Sequence, residues 1–62
     1  MDNLLSDIEA FLTRHSMKPS TFGELALNDR HLVYQLRRKR ELRSATVARI
    51  RQYMADQDAV AA

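Results

Sequence analysis

Apolar residues recur every three or four positions in four separate stretches of this chain, and little between them favours tight turns. The 62 residues include one Gly and one Pro. Such spacing lays side chains along one stripe of a helix. No segment alternates apolar and polar residues long enough to pattern a strand. The expected fold class is therefore all-α, a compact bundle of four short helices. A chain of this size buries only about 60% of its unfolded surface, so close helix packing or a partner subunit must supply its stability. With no Cys, neither a disulfide nor a thiolate zinc site can help.

In the first stretch, Leu4, Leu5, Ile8, Phe11, Leu12 and His15 share one side of a helix over residues 3–15. Asp2 or Asn3 can cap it. Pro19 suits the first turn of a second helix over 19–26, with Ser20 or Thr21 as cap and Thr21 and Glu24 at capping-box spacing. Asn28 accepts a left-handed turn conformation at low cost. Asp29 can cap a third helix over 30–38, whose stripe is Leu32, Val33 and Leu36. Leu42 anchors the basic connection RKRELR. Ser44 then caps a fourth helix over 45–56, with Val47, Ile50 and Met54 as its buried stripe. This reading sets one domain at residues 1–57 and a frayed tail at 58–62.

The charge is unevenly distributed. Residues 1–29 carry two cations against five carboxylates, a net of −3, whereas residues 30–62 carry eight against three, a net of +5. Such asymmetry fits a face built for a polyanion, although a solvated charge run gives the same pattern. No apolar run approaches the ~18 residues of a membrane span. The opening MDNLLSDIEA lacks the basic start and cleavage site of a secretory leader, so a cytoplasmic protein is expected, with which the lack of Cys is compatible.

Phe22-Gly23 places an apolar and a very small residue in the second helix; Val33 follows ten residues after Gly23, and Leu36 three later. A small residue lets the third helix cross the second closely. On these residues, the span Pro19 to Arg38 resembles the lambda-repressor-like, Cro-type helix-turn-helix family. Ala26 fits the apolar position at the end of the second helix. The turn departs from the family pattern, with Leu27 where Gly is usual and Asn28 where an apolar residue is usual. Asn28 can take over the left-handed conformation one residue later. A second register, pairing Leu25-Ala26 with Leu36 and Lys39, places a charge in an apolar slot.

The resemblance implies a helix-turn-helix within the bundle, with the third helix in the DNA major groove. Residue chemistry points the same way. Arg30, His31, Tyr34, Gln35 and Arg38 line the side opposite the apolar stripe and are the expected base contacts. Gln pairs with adenine and Arg with guanine, each good pair giving about 1–3 kcal/mol of discrimination. Ser20, Thr21, Arg37, Lys39, Arg40 and Arg43 are the expected phosphate contacts. Tyr34 can equally pack on a neighbouring helix, His31 can be an ordinary exposed histidine, and Arg37 can cover apolar surface with its stem. Glu41 can pair with Arg38 or Arg43.

The expected function is a sequence-specific regulator of transcription, a repressor by the family resemblance, bound to double-stranded DNA at the nucleoid; Tyr53, Met54 and Val60 are candidate contacts of a homodimer, with monomeric or partner-assisted binding as alternatives. The alternatives are an antitoxin-like or adaptor module on the same fold, and a sequence-neutral DNA-coating protein. No enzyme activity, cofactor, metal site or small-molecule substrate is expected. His15 and His31 are too far apart for a metal pair on one helix, no Gly-rich phosphate loop exists, and a chain this small has little volume for a pocket. His15 continues the apolar face of its helix and is expected to be structural.

Overall fold

The computed structural model describes residues 3–61 and arranges them as α1 (Leu4–His15), α2 (Pro19–Leu27), α3 (Leu32–Arg37) and α4 (Ser44–Ala61). No strand occurs among the described residues. The helix ends follow from local chemistry. Asn3 caps α1, its side-chain oxygen accepting the Ser6 N–H at 3.1 Å. Asp2, the other expected cap, lies outside the described residues. Ser16 ends α1 in a left-handed conformation at φ 50°, and the Met17 N–H returns to the Leu12 carbonyl at 2.9 Å.

Helix α2 starts directly at Pro19 with no side-chain cap. Ser20 and Thr21 therefore lie inside the first turn instead of capping it. Pro19 already holds a helical φ and has no N–H to satisfy, so the helix begins ahead of both. Its far end is Asn28, at φ 56° and ψ 36°, with its N–H on the Glu24 carbonyl at 2.9 Å. The left-handed turn falls on Asn28, as its short polar side chain allows.

Helix α3 has six residues and is shorter than the expected 30–38. Asp29 makes a turn of the residues before it. The Asp29 carboxylate accepts the His31 N–H at 3.0 Å, and its carbonyl accepts the Leu32 N–H at 3.1 Å. At the other end Lys39 adopts φ 67°, and the N–H groups of Lys39 and Arg40 return to the Leu36 and Gln35 carbonyls, each at 3.0 Å. Helix α4 starts with Ser44 as its first residue and is longer than expected, continuing through 58–61 where fraying was expected. Asp58 explains the extension. Its carboxylate takes the His15 Nε2 at 2.7 Å and the Arg14 guanidinium at 3.0 Å, tying the last turns of α4 to α1.

The core is Ile8, Phe11, Leu12, Phe22, Leu32, Val33, Ile50 and Met54. Each large apolar side chain buried here favours folding by about 1.5–3 kcal/mol. Phe11 is central: its ring meets His15 stacked at 4.2 Å, Phe22 edge-on at 5.4 Å and Tyr53 tilted at 6.1 Å. His15 is thus a structural residue, 18% exposed at its side chain. Leu36, Leu42 and Val47 are only half-buried, so Leu32 and not Leu36 is the fully enclosed partner of Val33 on α3. Tyr53 and Met54 were candidate dimer contacts, and Met54 was also read into the buried stripe of this helix. They instead serve this chain's own core, Met54 at 7% exposure and Tyr53 against both Phe rings. Burial also pushes the Tyr53 hydroxyl pKa upward.

Candidate nucleic-acid interface

Helix α3 is seated by Gly23. A Cβ at this position would collide with the Asp29 carbonyl oxygen and approach the Leu32 Cβ to 3.3 Å. The small residue therefore allows the close approach read from the spacing, and the groups it admits are the Asp29 turn and the start of α3 at Leu32. Leu25 is 60% exposed, which removes the register built on Leu25-Ala26.

With Leu32 and Val33 turned inward, the opposite side of α3 is bare. His31, Tyr34, Gln35 and Arg38 are all exposed and together line one shallow concavity of about 260 Å³. Their spacing of three, four and seven from His31 is that of a single helical face. Tyr34 is 45% exposed and does not pack into the interior. Arg30 lies exposed in the turn just before α3.

The cations around this stripe divide into two groups. Arg37 is held by α1, its Nε and Nη2 donating to the two Glu9 carboxylate oxygens at 2.9 and 2.8 Å. Its guanidinium also stands 5.7 Å from the Tyr34 ring centroid. Hydrogen bonding from Arg37 holds the Glu9 carboxyl below its ordinary pKa. Arg40 donates from Nη1 to Asp29 Oδ2 at 3.1 Å and to the side-chain oxygen of Gln35. Arg40, and then the His31 N–H, hold the Asp29 carboxyl below its ordinary value. In contrast, Arg30, Arg38, Lys39 and Arg43 are exposed and form no ion pair among the described residues. Glu41 likewise pairs with neither Arg38 nor Arg43.

Four of the five expected base-contact residues, His31, Tyr34, Gln35 and Arg38, thus share one surface, and Arg30 lies in the turn before it. Of the expected phosphate contacts, Lys39 and Arg43 are free, Arg37 and Arg40 are engaged within the chain, and Thr21 is exposed beside a half-buried Ser20. Sequence reading missed Glu9 and Asp29 as holders of these arginines. Separations of 28 and 11 residues carry no periodic signal by which to find them. Among the described residues, no three of His, Asp and Glu gather as metal ligands, and no helix is long and apolar enough to cross a membrane. No protein-family model, curated protein or solved structure matches this chain.

Proposed function

We propose that this protein is a sequence-specific regulator of transcription that binds double-stranded DNA, with α3 presented to the major groove. The observation that carries this reading is the exposed His31–Tyr34–Gln35–Arg38 face, rich in hydrogen-bonding groups and backed by buried Leu32 and Val33. A B-DNA major groove about 12 Å wide admits one helix, and these side-chain types match base edges there. The free cations Arg30, Lys39 and Arg43 flank the face where the sugar–phosphate backbone would run. Repression is the role implied by the resemblance of Pro19–Arg38 to Cro-type proteins, and the nucleoid is the place such a role requires. Catalysis, cofactors and small-molecule substrates have no part in this reading. A homodimer on a two-fold site belongs to the proposal, with Val60, 81% exposed, the one expected contact left at the surface. Selected sites lacking two-fold symmetry would remove that part.

One observation favours a second reading, a protein-interaction module. Glu9 and Asp29 already neutralise Arg37 and Arg40, which lowers the field at the face, and Tyr34 offers an exposed aromatic ring. Salt titration of duplex binding separates the two. If the three flanking cations each meet a phosphate, log affinity falls against log salt with a slope of about −2 to −3. Absence of duplex binding at low salt rejects the regulator and favours the interaction module.

A further inference from the structure

We propose that Arg40 is a positioning residue that fixes the Gln35 side-chain amide with its NH2 group outward, so that α3 selects guanine over adenine at that point. The proposal rests on the duplex-binding reading above. Arg40 donates from one nitrogen, Nη1, both to the Asp29 carboxylate and to the Gln35 side-chain oxygen. A guanidinium has donors only, so the amide atom that faces it must be the oxygen. The NH2 group is left pointing away from Arg40.

The arrangement is fixed from two directions. Asp29 braces the guanidinium at 3.1 Å from the start of the α3 turn. The Arg40 backbone N–H returns to the Gln35 carbonyl at 3.0 Å, through the left-handed turn at Lys39. Arg40 is therefore bonded to Gln35 through main chain and side chain alike. Free rotation is denied to the amide by a charge-assisted hydrogen bond, the stronger kind.

This changes what Gln35 presents. An unconstrained Gln offers an acceptor and a donor side by side, matching the N6 amino group and N7 of adenine. With its oxygen occupied by Arg40, Gln35 offers only the N–H donors of its amide. Guanine presents two acceptors, N7 and O6, to such an edge. Adenine would set its own N6 donor against those donors.

Selection from a random duplex pool tests this, using the full chain, Gln35→Ala and Arg40→Met, with melting curves to show that the variants fold. Wild type should enrich guanine over adenine about tenfold at one position, the preference one good base contact gives. Gln35→Ala should level that position. Arg40→Met should shift it toward adenine while the other positions keep their preferences, and Arg40→Lys, which retains a donor, should keep guanine. If Arg40→Met weakens every site alike and leaves the guanine preference intact, Arg40 touches only phosphate and the proposal is overturned. Should Arg40→Met not fold, the wild-type preference decides alone: adenine at the Gln35-dependent position overturns the proposal, and guanine supports it. A wild-type pool without any motif, together with no duplex binding at low salt, overturns the duplex-binding reading itself and this proposal with it.

Discussion

The carbonyl oxygen of Asp29 occupies the space that a Cβ on Gly23 would need. The second helix and the turn into the third are in backbone-to-backbone contact, and one absent methyl group makes this possible. Gly23→Ala gains up to about 1 kcal/mol of helix propensity but must displace main chain, which cannot swing aside as a flexible side chain does. The expected result is a net loss of about 1–3 kcal/mol in denaturant unfolding. An alanine variant as stable as the parent would mean that α2 and α3 do not meet in this way.

Lys39 is a non-glycine residue at φ 67°, at the position that ends α3. Left-handed backbone costs a side-chain-bearing residue about 1 kcal/mol that glycine avoids. Lys39→Gly should therefore raise stability by about 0.5–1 kcal/mol. The same change removes an unpaired cation beside the proposed interface, so the salt slope of DNA binding should flatten by about 0.9. Stability and affinity moving together would contradict the role given to Lys39.

Three carboxyls have pKa values lowered by cationic or hydrogen-bonding partners. Glu9 is lowered by Arg37, Asp29 by Arg40 and the His31 N–H, and Asp58 by His15 and Arg14, from ordinary values of 4.5, 3.8 and 3.8. A carboxyl whose folded pKa lies below its unfolded one stabilises the fold above the unfolded value, and this is lost as pH falls through the folded value. The denaturation midpoint should therefore drop as pH is lowered from about 5 toward 2. Asp58→Asn should shallow that drop, and high salt should blunt it because all three carboxylates are partly open to solvent. A midpoint that holds or rises on acidification would refute these pairings.

The sequence-neutral DNA-coating reading is separated by paired substitutions. Gln35→Ala should weaken binding to a selected site by about 1–3 kcal/mol with little change on random DNA. Arg43→Ala, at a free cation, should weaken both alike. Equal affinity of the parent for selected and random duplexes would leave a coating protein in place of a regulator.

Much of this architecture is legible from spacing alone. Three- and four-residue periodicity marks Ile8, Phe11 and Leu12, and a short polar residue marks the left-handed turn at Asn28. The exposed face of α3 follows once Leu32 and Val33 are assigned inward. What spacing misses is set by contacts distant in sequence. The length of α4 depends on Asp58 reaching His15 and Arg14, 43 and 44 residues away. The short α3 depends on Asp29 making a turn where its side chain was read as a helix cap. Met54 is legible as part of the buried stripe, whereas Tyr53 looks like a surface residue near a chain end until α4 is seen to lay it against Phe11 and Phe22. Arg37 and Arg40 look like free phosphate ligands because periodicity cannot show Glu9 or Asp29 beside them.

The central claim, that the bare side of α3 meets duplex DNA, is tested most directly by residue-resolved NMR during titration with a selected duplex. The account predicts the largest shifts at His31, Tyr34, Gln35 and Arg38, smaller ones at Arg30, Lys39 and Arg43, and little change along the α1–α4 groove lined by Ala10, Arg14 and Ala55. Shifts gathered instead around Leu4, Leu5, Leu42 and Val47, with His31, Tyr34, Gln35 and Arg38 unmoved, would contradict it.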